Sequence, residues 1–206
     1  MNKSNDNDNE KLEKVRSYLR AANEHLKMDE VRAAVYHYDR AIEVDPDNSR
    51  IWDNRGVALS RAKKFEEALE SFEISLDLDP ANSKAWINMG VTLATLKRFE
   101  EAINSFNHAI EIDGDDDEAW NNKGSALFSL ERYEEALSCY DEALRLNPNN
   151  IMAWAGKGST LRFMDKHEEA IECLEKFISL ASSELSPQVE EAWSMIFNLK
   201  LQLNKE

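Results

Sequence analysis

The chain has 206 residues, with 40 acidic against 25 basic side chains and a formal net charge of −15. That balance argues against a general nucleic-acid binder, which needs a basic surface to displace counterions from phosphates. No apolar run approaches the roughly 20 residues that span a bilayer, so no membrane partner is expected.

The opening segment MNKSNDNDNE has no hydrophobic stretch and does not read as a signal peptide. Residues 1–10 are expected to be a disordered, solvated tail, with one domain over 11–206. Beyond the tail the chain keeps a strict beat. Trp52, Trp86, Trp120 and Trp154 are each 34 residues apart, and each is followed four residues later by a glycine: Gly56, Gly90, Gly124, Gly158. A period of this size marks stacked repeats, not one globular core.

With tryptophan at position 4, the units run 49–82, 83–116, 117–150 and 151–184. One step back, Tyr18 marks a less regular first unit at 15–48. Position 20 is Ala34, Ala68, Ala102, Ala136 and Ala170; position 24 is Tyr38, Phe72, Phe106, Tyr140 and Leu174. Small residues let the two helices of a unit approach, and the aromatics fill the space around that contact. Position 32 is Pro46, Pro80, Gly114, Pro148 and Ser182. Proline there ends the second helix, because it cannot continue one beyond its first turn. The pairs Glu66-Glu67, Glu100-Glu101, Glu134-Glu135 and Glu168-Glu169 open second helices, where carboxylates complement the helix dipole.

After the fifth unit the beat slips. Trp193 follows Trp154 by 39 residues, and ASSELSP (181–187) reads as a linker. Ser186 as N-cap and Pro187 as first residue start a capping helix over 187–204. Val189, Trp193, Ile196, Lys200 and Leu203 form the stripe expected to cover the last repeat. Met195, Phe197, Leu199 and Leu201 do not all fit it. This surplus motivates an alternative function, homo-oligomeric self-assembly through the apolar C-terminal helix, because an exposed apolar face marks an interface.

The pattern of Trp, Gly, Ala, aromatic and Pro at fixed offsets resembles the tetratricopeptide repeat (TPR) family over about residues 15–184. The resemblance implies an all-α fold: a right-handed α-solenoid of five helix-turn-helix units with a C-terminal capping helix. It also implies a cytoplasmic, non-enzymatic adaptor or scaffold for protein binding. No Gly-rich phosphate loop, GxSxG or HExxH motif is present, and no catalytic residue, metal site or cofactor is assigned. Cys139 and Cys173, 34 residues apart, are expected to be reduced structural thiols, as in a cytosolic protein. His25 takes a position held by leucine elsewhere and is read as structural; His108 is read as a surface residue. The acidic run Asp113–Glu118 lacks the spacing of a calcium loop and falls on an inter-repeat turn.

By the same resemblance, positions 2, 5, 6, 9, 12 and 13 of the first helices line a concave groove. Over the first three units this gives Arg16, Arg20, Lys27, Arg50, Arg61 and Lys84 against Asp53 alone. Glu118 and Arg162 follow in the last two units. A basic strip in an acidic chain focuses potential on a ligand. Asn23, Asn54, Asn88, Asn121 and Asn122 add amides that hold a peptide backbone whatever its side chains. The expected partner is thus a protein or peptide segment, acidic in character. Three of the five residues of the family's carboxylate clamp are matched, by Asn23, Asn54 and Lys84. Leu19 and Asn88 depart from it, so chaperone binding is not assigned. Arg55, Lys123 and Lys157 hold position 7, and the sequence leaves open whether they extend the groove's edge.

Overall fold

The computed structural model describes residues 3–182 and 185–204, and all regular structure among them is helical. In chain order the helices are α1 (Lys3–Lys27), α2 (Val31–Val44), α3 (Ser49–Arg61), α4 (Phe65–Leu78), α5 (Ser83–Thr95), α6 (Phe99–Ile112), α7 (Asp117–Ser129), α8 (Tyr133–Leu146), α9 (Ile151–Phe163), α10 (His167–Leu180) and α11 (Ser186–Leu203). The 34-residue register fixes their ends. First helices of the last four units occupy positions 1–13, and second helices occupy positions 17–30 in all five. Of the segment expected to be a tail, residues 3–10 are assigned to α1, and residues 1 and 2 lie outside the described residues. Extending a helix already anchored by the buried Val15 and Ala22 costs far less than nucleating one.

The chain divides into two compact units, one ending at Arg98 and the other beginning at Phe99. In the first, α1 pairs with α2 and α3 with α4, and α5 packs on α4 and α3. In the second, α7 pairs with α8 and α9 with α10, while α6 packs on α7 and α11 on α10.

The reason for the repeating glycine lies in the hairpin contact. A Cβ on Gly56 would stand 2.5 Å from the ring of Phe72; on Gly124, 2.9 Å from Tyr140; on Gly158, 3.0 Å from Leu174. Position 8 must therefore be nearly empty for position 24 to seat. All five position-20 alanines are fully buried beside it.

The tryptophans do more than fill space. Each indole N–H donates to the carbonyl at position 32: Trp52 to Pro46 at 2.7 Å, Trp86 to Pro80 at 3.1 Å, Trp120 to Gly114 at 3.0 Å, and Trp154 to Pro148 at 2.9 Å. A carbonyl is common to every residue type, so the latch survives where Gly114 replaces proline. Second helices also end at position 30 in the units that carry Gly114 and Ser182, so proline is not required as the terminator.

The turn inside each hairpin uses a left-handed residue at position 15: Asp29, Lys63, Lys97, Glu131 and Asp165, with φ between 57° and 61°. None is glycine, although that conformation favours it. The next amide closes each helix end by bonding five residues back, as in Lys64 N–H to Leu59 at 2.9 Å.

The C-terminal helix is rotated from its expected setting. Ala192, Ile196 and Leu199 are buried, with Val189, Met195 and Leu203 packed around them against α9 and α10. Trp193 is 54% exposed, and Lys200 reaches out to Glu175 at 3.0 Å. The helix carries more apolar positions than one stripe holds, and the set with Ala192 at its centre permits the closer approach. Its N-cap is Leu185, one residue earlier than expected, with Ser186 and Pro187 in the first turn.

Candidate functional site: the face of the first helices

At about 100° per residue, positions 2, 6, 9 and 13 fall within roughly 60° of arc on a helix. Each first helix therefore presents those side chains along one line. In the first compact unit this line holds Arg16, Arg20, Asn23 and Lys27 on α1, Arg50, Asn54 and Arg61 on α3, and Lys84 and Asn88 on α5. All are exposed except the half-buried Asn88. Two of the six basic groups are engaged: Arg16 with Glu13 at 2.8 Å, and Arg61 with Asp29 of the preceding turn at 3.4 Å. Arg20, Lys27, Arg50 and Lys84 form no ion pair among the described residues.

The amides differ in what they leave available. Asn23 accepts the Tyr38 hydroxyl at 3.1 Å, so its N–H2 remains open to a ligand. Asn54 is exposed and forms no hydrogen bond among the described residues. Asn88 donates to Asp53 at 3.0 Å, tying α5 to α3 on this face. Ser60 and Thr92, at 2.8 Å, tie the same two helices further along. Burial pushes the Asp53 carboxyl above its ordinary range, opposed by the Asn88 hydrogen bond and the Lys84 charge. Asp53 is thus the one acid set into the basic strip, and it is incompletely stabilised there.

Asn121 and Asn122 lie on α7 in the second unit, half-buried and 3.4 Å apart. On neighbouring α9, Arg162 lies 4.6 Å over the Phe163 ring, and its buried Nε finds no acceptor among the described residues. Phe163 stacks on Tyr133 at 5.7 Å and meets Phe128 edge-on at 5.4 Å, an aromatic cluster that the sequence reading did not single out.

Position 7 does not belong to the groove. Arg55 donates to Asp39 and to Ser71, both at 2.7 Å, and Lys157 donates to Asp141 at 2.5 Å. Arg55 and Lys123 also lie over Trp52 and Trp120, three residues before them. These cations therefore face the second helices. A 16-residue spacing from acid to base, present twice, is the sequence signal for it. His25 and His37 are a further pairing not foreseen, stacked at 5.2 Å, with His25 also bonded to Glu30 at 2.6 Å.

The acidic run on the inter-repeat turn has a capping role. Asp116 accepts from the backbone N–H groups of Glu118 at 2.9 Å and Ala119 at 3.2 Å, while Asp117 accepts from Asn147 and Asn150. Cys139 and Cys173 are both buried and unpaired, and burial pushes the Cys173 thiol up to about 11.

Hairpins with this latch, this glycine contact and this period define a helical repeat protein. Tetratricopeptide repeat models match residues 19–83, 59–124, 117–150 and 139–172, and the chain belongs to that family. The family mediates protein–protein interactions and is in general non-catalytic. No curated protein sequence matches the chain. Among solved structures, PilF of Pseudomonas aeruginosa is similar with a TM-score of 0.76 and 19% identity, over 95% of this chain and 92% of that one. MamA of Desulfovibrio magneticus RS-1 aligns with a TM-score of 0.74 and 20% identity, over 81% and 94%. YrrB, described as a TPR protein with an unusual peptide-binding site, aligns with a TM-score of 0.67 and 24% identity, over 84% and 90%. At these identities the likeness is one of fold. Among the described residues, no helix is long and apolar enough to cross a membrane.

Proposed function

We propose that this chain is a non-enzymatic adaptor whose first-helix face, in the unit ending at Arg98, binds an acidic segment of another protein. The observation that carries the reading is the set of four exposed cations, Arg20, Lys27, Arg50 and Lys84, left without ion-pair partners in a chain of net charge −15. Charges of one sign on a shared face concentrate a ligand of the other sign. Asn23 and Asn54 supply donors for its backbone. Because helices hold these groups in place, little ordering cost falls on the receptor. The peptide-binding description of YrrB supports the same use of the fold. Two buried thiols left unpaired suit the reducing cytoplasm, where we place the protein.

The test is fluorescence anisotropy with a labelled Asp/Glu-rich peptide and a C-terminally amidated twin. Reversal of two free cations, Arg50→Glu with Lys84→Glu, is expected to weaken binding at least about tenfold, as for charge pairs across an interface. Rising salt should weaken it further. The amidated twin separates recognition of side-chain carboxylates from recognition of a chain terminus. Binding that ignores both the reversal and the salt would refute the reading.

A further inference from the structure

The register that makes the units alike also shows where one junction between them differs. From one unit to the next, position 17 of the first and position 14 of the second are large: Phe65 and Leu96, Phe99 and Leu130, Tyr133 and Met164. Between the first two units they are Val31 and Ala62. Both line a cleft there, and Ala62 also lines a second, adjoining cleft of about 360 Å³. Val35 and Leu59 give that second cleft an apolar wall, held in place by their packing with Ala68 and Phe72. Two further departures fall on the same spot. Position 18 is Glu66, Glu100, Glu134 and Glu168 in the other units, and Arg32 in the first. Position 22 is Glu70, Asn104, Ser138 and Glu172 in the others, and Tyr36 in the first. Arg32 lines both clefts, and Tyr36, 59% exposed, lines the second.

We propose that these clefts hold an extended segment of a partner protein, with a bulky apolar side chain seated against Val35, Leu59 and Ala62 and a carboxylate on Arg32. Charge selects the carboxylate. The other charged groups that line the two clefts already have partners: Asp29 with Arg61, Glu30 with His25, Asp39 with Arg55, and Lys64 with Glu67. Arg32 alone forms no ion pair or hydrogen bond among the described residues, so the uncompensated charge is a single positive one beside an apolar wall. Tyr36 adds a ring against which an aromatic side chain packs. Shape selects a segment over a small molecule. A third cleft, reaching Glu43 and Trp52, shares Asp39 with the second, so the three follow α2 from its first turn to its last. In an extended chain, side chains two residues apart point to the same side, which puts the acid two residues from the apolar anchor. None of the basic groups on the first-helix face lines these clefts, so this contact is distinct from the one proposed above.

Heteronuclear NMR titration of the full chain with a blocked peptide, Gly-Ser-Asp-Ser-Phe-Ser-Gly, and with the same sequence reversed, tests this. At least one of the two should bind saturably by millimolar concentration and move the amides of Arg32, Tyr36 and Ala62. Exchanging the peptide's phenylalanine for alanine should weaken binding at least about tenfold, and exchanging its aspartate for serine about threefold. Ala62→Leu and Arg32→Glu each install the residue that other units carry at that position, so the helix content should be unchanged. Ala62→Leu should weaken binding at least about tenfold by filling the cleft, and Arg32→Glu at least about threefold. Absence of saturable binding by both peptides overturns the proposal. So does an Ala62→Leu or Arg32→Glu chain, or a peptide without the ring, that binds as the originals do. Phenylpropionate that binds as tightly as the peptide would make the occupant a small organic acid and overturn the segment. Arg50→Glu with Lys84→Glu should leave this titration unchanged, so the clefts and the first-helix face fail or stand separately.

Discussion

A single atom decides the spacing within the hairpins that carry Gly56, Gly124 and Gly158. At Gly56 an added methyl would stand 2.5 Å from a fully buried Phe72 ring, which has nowhere to move. Gly56→Ala should therefore lose about 2 kcal/mol in chemical denaturation, overpacking outweighing the helix propensity gained. At Gly158 the nearest neighbour is a Leu174 carbon at 3.0 Å, and the same change should fall within about 1 kcal/mol of neutral. Equal losses at both sites would show that backbone strain, not the neighbour, sets the cost. Asp53 gives the second prediction at this scale. Its carboxyl is held above its ordinary range chiefly by burial, so in the folded state the ionised form is disfavoured. The penalty is absent below the unfolded pKa, appears as pH rises through the folded value, and is complete at neutrality. Asp53→Asn should then raise the Tm at pH 7, with the advantage vanishing in acid. A variant that is more stable only at low pH would contradict this account. Removing the acid should also tighten the acidic peptide.

The elements were legible wherever packing repeats. Alanine at position 20, the small residue at position 8 and the ring at position 24 form one contact made several times, so five approximate copies in the sequence locate ten helices. The turn between them was less legible. Position 15 holds Asp29, Lys63, Lys97, Glu131 and Asp165, and no glycine announces the left-handed backbone that all five adopt. Glu131→Gly should stabilise the chain by about 0.5–1 kcal/mol, the relief of the left-handed penalty less glycine's entropy. A fall in Tm would mean that the Glu131 side chain contributes more than its backbone costs. The C-terminal helix was misread for a different reason. It stands outside the beat, has no second copy to calibrate it, and carries two apolar stripes of which the sequence alone does not say which turns inward. The site was half visible: the basic side chains follow from the register. The Asn88–Asp53 bond and the outward aim of Arg55 depend on neighbours from adjoining repeats, which no single unit's sequence contains.

For the whole molecule, the net charge of −15 is the background against which the proposed peptide contact forms. An acidic peptide on a basic face is held by attraction that salt screens. Raising ionic strength from low to physiological should therefore weaken peptide binding, read by anisotropy. Binding that strengthens with salt would mean that the contact has been assigned the wrong chemistry.

The four indole latches leave the tryptophans in two optical classes. Trp52, Trp86, Trp120 and Trp154 are half-buried, each fixed to a turn carbonyl, while Trp193 is largely open to solvent. A small aqueous quencher will therefore reach one fluorophore well before the other four. The chain thus carries an intrinsic reporter for the outer face of α11, with no label added, and its emission reads that surface separately from the repeat turns.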